Sequence, residues 1–372
     1  DDDGPALPSP PVRARERRRR AVVVGAALAT ALLLTVGGFA AAGLLAPTGT
    51  AAQPSAPSKA ETFAPGVTAE PVDAELAEGV TLHERPSDPI RLMSYSIEDN
   101  KTHEDTFYAR NLRQGTFGKR TGILEWLVSP DGRYHAIRQK DYTSDGYDSV
   151  LITNSESGVS FRVKTVRKPL DSTIEAFSKD STKILLTVSK PVNGKKDWTT
   201  TGFAIIHVDR ADLARSKATV ADVGDATLGE GDFGWDAAGE GVVLLHEKIK
   251  GLRFYDAAGR PTRDVPGVGA LDSGPDHQFS PSGRTFVTDC PDGDDDHCLW
   301  DTATGKRVRS FSSDCNKVLG WFDEDHLFCW EQDNGAEDEI RVVTLDGKLV
   351  RKLMDIPEDV DLSPGYEVNL SS

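Results

Sequence analysis

Residues 277–290 read HQFSPSGRTFVTDC, and residues 299–311 read LWDTATGKRVRSF. Each stretch contains two short runs of apolar, β-branched or aromatic residues with a tight turn between them. The first turn, Ser-Pro-Ser-Gly, supplies a proline whose φ is preset and a glycine that accepts a positive φ. Such a pattern is typical of a β-hairpin. Residues 277–311 therefore predict two successive hairpins, which together supply four short strands.

The same two hairpin patterns recur along the chain. The first also occurs at residues 125–138, 175–188, 233–246 and 320–331. Its turns are separated by 49, 58, 44 and 42 residues, at Gly132, Ser181, Gly239, Gly283 and Asp325. The second also occurs at residues 107–117, 150–163, 205–220, 253–265 and 341–353. A period of about 40–50 residues is typical of propeller blades. The six second hairpins predict an all-β propeller of six four-stranded blades.

The two ends of this array are incomplete in complementary ways. Residues 359–365, DVDLSPG, resemble the start of a first hairpin with no second hairpin behind it. Residues 90–117 resemble second-hairpin material with no first hairpin before it. We therefore expect the C-terminal strand to be the innermost strand of the N-terminal blade, which closes the ring and removes unpaired sheet edges. The apolar residues before the turns should fill the space between neighbouring sheets: Val128, Phe177, Trp235, Phe279 and Trp321.

Three motifs resemble those of WD40-like and TolB-like β-propellers. They are SPDG at residues 129–132, SPSG at residues 280–283 and LWDTATGK at residues 299–306. The resemblance extends over residues 89–372. It implies four-stranded antiparallel blades around a central axis. It also implies recognition of another envelope protein or a peptide on one face of the propeller.

Residues 21–46 contain no charged side chain and directly follow the sequence RARERRRR at residues 13–20. A 26-residue helix is long enough to cross the ~30 Å hydrocarbon core of a bilayer. The arginines favour a cytoplasmic N-terminus. We predict a cytoplasmic segment at 1–20, a transmembrane helix at 21–46, a disordered Pro/Ala-rich linker at 47–88 and an extracytoplasmic propeller at 89–372. A cleaved signal peptide is the alternative. The composition around the anchor resembles that of actinobacterial membrane proteins.

The charge balance excludes some classes of partner. The chain has 43 Lys and Arg against 59 Asp and Glu, a net charge of −16. Residues 1–20 hold six Arg and four acids, so the residues after them carry −18. This opposes binding to nucleic acid, which needs a positive face. Cationic partners and divalent ions remain open.

Four cysteines lie close together in the translocated part: Cys290, Cys298, Cys315 and Cys329. An even number of cysteines in an oxidising compartment predicts disulfides. Of the three possible connectivities we favour Cys290 with Cys298 and Cys315 with Cys329. A zinc site is the rival interpretation, but the sequence lacks the CxxC spacing that zinc sites use.

The acidic stretch PDGDDDH, residues 291–297, is a candidate calcium loop. Its possible ligands are Asp292, Asp294 and Asp296, because Ca²⁺ takes carboxylate oxygens as ligands. The loop lacks the spaced EF-hand pattern and its terminal Glu. A solvated turn between two strands is the alternative interpretation. Calcium is the one cofactor that the sequence suggests.

A polar insertion, PVNGKKDWTTTG at residues 191–202, lengthens one of the repeat intervals. It contains Lys195, Lys196 and Trp198, which are candidates for contact with a partner, since long loops on a rigid scaffold often carry recognition. A long hairpin loop without such a role is the alternative.

The sequence contains no GxSxG, SxxK or HExxH motif, and it singles out no catalytic residue. We therefore predict a protein- or peptide-binding or scaffold module of the cell envelope. The alternative is a propeller-based hydrolase or lyase acting on extracellular glycan or peptide. Several titratable groups that converge in the central channel with perturbed pKa values would favour the enzyme.

Overall fold

A computed structural model describes residues 72–369, except 103, 112–113, 121–122, 140, 193–196, 226, 229–230, 271–276, 294–295 and 333–336. In chain order the strands are β1 (Val72–Glu75), β2 (Thr81–Glu84), β3 (Ile90–Glu98), β4 (Asp105–Arg110), β5 (Phe117–Arg120), β6 (Ile123–Val128), β7 (Tyr134–Gln139), β8 (Tyr147–Asn154), β9 (Ser160–Arg167), β10 (Asp171–Phe177), β11 (Lys183–Val192), β12 (Asp197–His207), β13 (Lys217–Asp222), β14 (Phe233–Trp235), β15 (Val242–His246), β16 (Gly251–Tyr255), β17 (Pro261–Val265), β18 (Thr285–Asp289), β19 (His297–Asp301), β20 (Arg307–Phe311), β21 (Lys317–Trp321), β22 (His326–Glu331), β23 (Asp338–Thr344), β24 (Leu349–Ile356) and β25 (Asp361–Val368). Short 3-10 helices occupy Ala77–Gly79, Leu213–Arg215 and Glu247–Ile249.

The strands form six antiparallel sheets, which are the blades of a propeller. From the innermost strand outward, blade one is β25, β3, β4 and β5, blade two is β6 to β9, blade three is β10 to β13, blade four is β14 to β17, blade five is β18 to β20, and blade six is β21 to β24 followed by β2 and β1. In blade five the innermost position is taken by Phe279, which bridges to Phe286. The predicted all-β architecture of six blades is confirmed.

The closing strand is the one that the incomplete repeats predicted. β25 pairs antiparallel with β3, from Asp361 opposite Glu98 to Val368 opposite Ile90. Leu362 and Leu92 from the two strands are completely buried. The C-terminal strand thus completes the N-terminal blade, and the ring is held by backbone hydrogen bonds as well as by apolar contacts.

The repeated turns hold the innermost strand of a blade against the next one. Ser129 Oγ donates to Asp131 Oδ1 at 2.7 Å and accepts from the Tyr134 amide at 2.9 Å. Gly132 has φ 67°, the conformation for which the turn selects glycine. In blade three Ser178 repeats the role of Ser129, donating to Asp180 at 2.6 Å. The turn chemistry explains why the sequence period marks the blades so clearly.

The residues before these turns pack between sheets, as predicted. Val128, Phe177, Phe279 and Trp321 are buried. Trp235 is partly buried. Two indole groups also link neighbouring blades: Trp235 Nε1 donates to the Ala176 carbonyl at 3.3 Å, and Trp321 Nε1 donates to the Gln278 carbonyl at 3.2 Å.

The connections define two faces of the propeller. The turn face carries the links from the first to the second strand and from the third to the fourth strand of each blade. The loop face carries the links from the second to the third strand and from each blade to the next. On the turn face, Lys179 Nζ of blade three donates to the Pro281 carbonyl of blade five at 3.1 Å. His277 Nε2 of blade five donates to the Tyr366 carbonyl of blade one at 2.8 Å. Both side chains therefore connect blades that are not neighbours.

The structure corrects one domain boundary. The linker was predicted to end at residue 88, but β1 and β2 form a hairpin before that point. β2 pairs with β24, placing Leu82 opposite Met354. The hairpin belongs to the fold because its sequence buries Val80 and Leu82 in the same apolar cluster as Leu92.

Charged groups also fasten this hairpin to blade six. His83 Nδ1 lies 2.7 Å from Asp73 Oδ1, and His83 Nε2 lies 2.8 Å from Asp355 Oδ2. Two carboxylate partners fit a ring that donates from both nitrogens, which is the protonated form. Burial alone would lower the pKa of His83, but the hydrogen bonds to Asp73 and Asp355 outweigh burial and raise it.

The predicted cytoplasmic segment 1–20, the transmembrane helix 21–46 and residues 47–71 of the linker lie outside the described residues. Among the residues that are described, no helix is both long enough and apolar enough to span a bilayer.

Replacing Leu82 by Ala should lower the free energy of unfolding by about 2–5 kcal/mol, because it leaves a cavity where the hairpin meets the core. Urea denaturation of the full chain measures the change. Val72→Ala on the same hairpin is the control, since Val72 is 64% exposed and its loss should cost little. If Leu82→Ala lowered the free energy of unfolding as little as Val72→Ala, the hairpin would not be part of the core.

Candidate functional site

Both predicted disulfides are present. Cys290 is bonded to Cys298, and Cys315 is bonded to Cys329. The first closes the acidic loop between β18 and β19. The second joins the segment before β21 to β22 within blade six. The favoured connectivity is therefore confirmed.

Calcium binding by the acidic loop, residues 291–297, remains a prediction. Asp292 pairs with Arg307 NH1 at 2.5 Å, and Asp296 accepts from the Ser313 amide at 3.3 Å. Asp294 lies outside the described residues. One ligand atom each from Cys290, Asp292 and Cys298 lies within 4.8 Å of the others. Because both sulfurs are in a disulfide, they offer no thiolate, which is the form that binds metals.

The polar insertion forms an extended hairpin on the loop face of blade three. Strands β11 and β12 have 10 and 11 residues, against 5 in each of the corresponding strands β15 and β16 of blade four. Trp198 stands opposite Pro191 and is partly buried. Lys195 and Lys196 lie outside the described residues. The structure thus places Trp198 on the face where loops project.

Below this hairpin, at the junction of blades two and three, lies a group of charged side chains that the sequence did not single out. We call it the Arg138 cluster: Glu125, Arg138, Tyr142, Asp148 and Asp171. The Arg138 guanidinium lies 3.0 Å from Glu125, 2.9 Å from Asp171 and 3.8 Å from Asp148. Three carboxylates therefore share one buried cation.

The cluster has an inner and an outer part. Asp148 is 3% exposed, and its Oδ2 accepts from the Ser172 amide at 3.1 Å and the Ser172 hydroxyl at 2.5 Å. The side chains of Glu125 and Asp171 are 24% and 26% exposed. Asp171 Oδ1 accepts from Arg138 and Tyr142, whereas its Oδ2 has no hydrogen-bond partner among the described residues. The outer part thus offers an open acceptor on the loop face.

The position of Trp198 relative to Asp171 follows from the strand register. Asp171 on β10 pairs with Ser189 on β11, and Ser189 pairs with Thr200 on β12. Trp198 is therefore on the second strand from Asp171 and two residues closer to the tip of the hairpin on the loop face. Strand spacing and rise then put their Cα atoms about 12 Å apart. Thr200, two residues from Trp198, donates to the Gly231 carbonyl next to blade four, whereas Asp171 bonds Arg138 of blade two. Trp198 and Asp171 therefore lie on opposite sides of blade three at its loop-face end.

Burial and mutual charge perturb the cluster. Burial raises the pKa of Asp148 to about 6, despite the opposing influence of Arg138. Burial alone would lower the pKa of Arg138, but Glu125, Asp171 and Asp148 raise it above its ordinary value. Burial, Asp171 and Asp148 raise the pKa of Tyr142. Arg138 thus remains a cation, and Asp148 takes up a proton more readily than an ordinary aspartate.

A signal in the sequence could have revealed Arg138. In β7, YHAIRQ, the alternate residues Tyr134, Ala136 and Arg138 are buried. A charged residue at the third position of a buried alternating row requires a charged partner. The hairpin pattern was evident, but the sequence does not say which of many carboxylates supplies that partner.

Comparison with known proteins gives resemblance in fold only. No protein-family model and no curated protein matches the chain. Among solved structures, TolB from Acinetobacter baumannii is 15% identical, with 77% of this chain and 67% of that chain covered and a TM-score of 0.42. Putative TolB from Agrobacterium tumefaciens is 14% identical, with 75% and 99% covered and a TM-score of 0.42. An oligogalacturonate lyase in complex with manganese is 14% identical, with 75% and 83% covered and a TM-score of 0.46. The assignment of six blades rests on the strand pairing of the chain itself.

Arg138→Met should lower the free energy of unfolding by about 3–5 kcal/mol, because it leaves buried carboxylates without their cation. Chemical denaturation at pH 7 measures the loss. The control is Arg210→Met, which removes a bond to Asp131 from an arginine whose side chain is 39% exposed. That change should cost about 1 kcal/mol or less. Similar losses for both variants would contradict the burial argument.

Asp148→Asn should alter the pH dependence of stability. Because the pKa of Asp148 is raised to about 6, the folded state holds its proton more tightly than the unfolded state. The stabilisation from that proton is fully present below the ordinary pKa and is lost as pH rises through about 6. The stability of the parent chain relative to Asp148→Asn should therefore increase between pH 7 and pH 5, by about 1 kcal/mol.

Asp145→Asn serves as the matched control for this experiment. A hydrogen bond from Lys164 lowers the pKa of Asp145 to about 2, so this group does not titrate between pH 5 and pH 7. The difference between the parent chain and Asp145→Asn should stay constant over that range. If Asp148→Asn also gives a constant difference, the raised pKa is wrong.

Proposed function

We propose that this chain is a single-pass membrane protein of the cell envelope whose extracytoplasmic propeller binds a protein or peptide partner on its loop face. The surface formed by the exposed part of the Arg138 cluster and the extended hairpin of blade three is the proposed binding site. The calcium loop of blade five remains a separate prediction and is not required for this function.

The cellular location rests on two observations. Residues 21–46 form an uncharged stretch behind six arginines, which favours an anchor with a cytoplasmic N-terminus. The two disulfides agree with an oxidising compartment for the propeller, since such bonds are rare in the cytosol. Together they support an extracytoplasmic domain.

The observation that carries the binding proposal is the open carboxylate of Asp171 at the loop-face end of blade three, whose extended hairpin carries Trp198. Its Oδ2 is unpartnered within the described part of the chain. A Lys or Arg side chain of a partner can pair with it, while Trp198 supplies apolar contact area. Tryptophan and arginine side chains are both enriched among the residues that dominate binding energy at interfaces.

The chemistry of the cluster favours binding over hydrolysis or elimination. The carboxyl with the raised pKa, Asp148, is almost fully buried, and Ser172 and Ser149 donate to its oxygens. A general acid must reach the substrate within hydrogen-bond distance, directly or through one water. Asp148 therefore serves the packing of blades two and three rather than a reaction at the surface.

Trp198→Ala should reduce capture of the partner by on the order of 30-fold, the effect expected of a hot-spot tryptophan. A membrane-impermeant crosslinker applied to intact cells that express the full chain measures capture, and it reaches only groups outside the cytoplasm. Val159→Ala is the control, since Val159 is 57% exposed and lies on the turn face.

Two results would defeat this proposal. Failure of the impermeant reagent to label the propeller in intact cells would contradict the location. Equal capture by the parent chain and by Trp198→Ala would remove the hairpin of blade three from the site. Turnover of a glycan or peptide by the purified chain would support the enzymatic alternative instead.

A further inference from the structure

A strip of positive charge runs along the outer edge of blade two, in a chain whose residues after position 20 carry −18. It comprises the exposed residues Arg162, Lys164, Arg167 and Lys168, on β9 and the link that follows it. We call these four residues the basic strip. Four cations within seven residues stand out against so acidic a background.

Most of these charges have no acidic partner. Lys164 Nζ pairs with Asp145 at 2.6 Å, and both side chains are about half exposed. Arg162 donates to two neutral groups, Ser149 Oγ at 3.2 Å and Gln139 Oε1 at 2.5 Å. Within the described part of the chain, Arg162, Arg167 and Lys168 form no ion pair with a carboxylate. The strip thus carries surplus positive charge.

Two tyrosine rings contact three of the four cations of the basic strip. Lys168 Nζ lies 4.4 Å from the centre of the Tyr142 ring. Lys164 Nζ and the Arg167 guanidinium lie 5.3 Å and 5.9 Å from the centre of the Tyr147 ring. Such contacts restrict flexible side chains before any ligand arrives, which lowers the entropy that binding must overcome.

The spacing of the strip fits an extended peptide. Arg162 and Lys164 are two residues apart on a strand, so they lie on the same side, roughly 6–7 Å from each other. Alternate residues of an extended peptide have the same spacing. β9 is also the last strand of its sheet, the position to which an extended segment can be added.

The negative charge of the rest of the chain determines whether a short anionic segment or a long anionic polymer is the better ligand for the basic strip. A polymer extending beyond the strip would meet the acidic remainder of the surface and be repelled. A segment of a few residues stays within about one Debye length, ~8 Å, of the four cations and avoids most of that repulsion. The charge distribution therefore favours a short segment.

We propose that the basic strip binds a short, extended acidic segment of a partner protein. This inference rests on the proposed binding function and extends it. The strip adjoins the Arg138 cluster, because Tyr142 carries Lys168 on its ring and donates its hydroxyl to Asp171. The partner accordingly presents an acidic stretch next to a cationic side chain.

The test uses a fluorescein-labelled octapeptide of alternating Thr and Glu, with a Thr–Gln octapeptide as the neutral counterpart. Fluorescence anisotropy with the full chain in neutral detergent should show at least about tenfold tighter binding of the acidic peptide at low salt. This preference should fall as salt increases. The double variant Arg162→Gln, Lys164→Gln should bind the acidic peptide on the order of 2- to 30-fold more weakly, since each exposed ion pair contributes modestly.

Matched variants separate the role of the charge from damage to the fold. Lys306→Gln removes an exposed cation from blade five and should leave peptide binding unchanged. Lys164→Arg keeps the charge and should bind like the parent chain. All variants should unfold at the parent's urea midpoint, because the replaced side chains are exposed.

Three results would overturn the inference. One is equal affinity for the Thr–Glu and Thr–Gln peptides, and another is undiminished binding by the double variant. The third is tighter binding of polyphosphate than of the acidic peptide, which would assign the strip to a polymer. If the peptide test fails while crosslinking at Trp198 succeeds, the binding function stands and only the strip is excluded.

Discussion

The pairing of β25 with β3 is the contact on which the rest of the molecule depends. Each blade is a thin sheet with apolar residues on both faces, and it is shielded only when a neighbour covers each side. Five junctions are made between blades that follow one another along the chain, but the first blade lacks an inner strand until the C-terminus returns. Leu362 and Leu92 are completely buried at that point. Without this strand, the faces of blades one and six would both be exposed.

The parts of the fold that the sequence predicted have strong local causes. The Ser-Pro-Asp-Gly turn at Ser129 needs specific residues in a fixed order, so its recurrence marks the blades. The connectivity of Cys290 and Cys298 follows from their proximity along the chain. The hairpin of β1 and β2 has neither a recurring turn motif nor a cysteine pair that would have identified it in the sequence. Its strands have four residues each, and it is held by contacts with β24, more than 250 residues away.

The candidate site was only half predictable for a related reason. Trp198 stood out because the insertion broke the repeat period. Arg138 lay within a regular strand, and its partners Asp148 and Asp171 come from two different blades. A buried cation can be suspected from alternation, but its partners depend on how sheets stack. The combination of Asp171, Tyr142 and Lys168 is likewise a product of blade packing: Tyr142 donates its hydroxyl to Asp171 and carries Lys168 on its ring.

The hairpin of β1 and β2 also determines where mechanical load enters the domain. Any tension along the chain preceding Val72 reaches the propeller at the rim of blade six. At this rim the tension acts on the pairing of β2 with β24 and on the ion pairs of His83 with Asp73 and Asp355. The ring-closing strand β25 lies in blade one and pairs with β3, which follows β2 along the chain. A force applied at Val72 therefore acts on this rim before it acts on the pairing of β25 with β3.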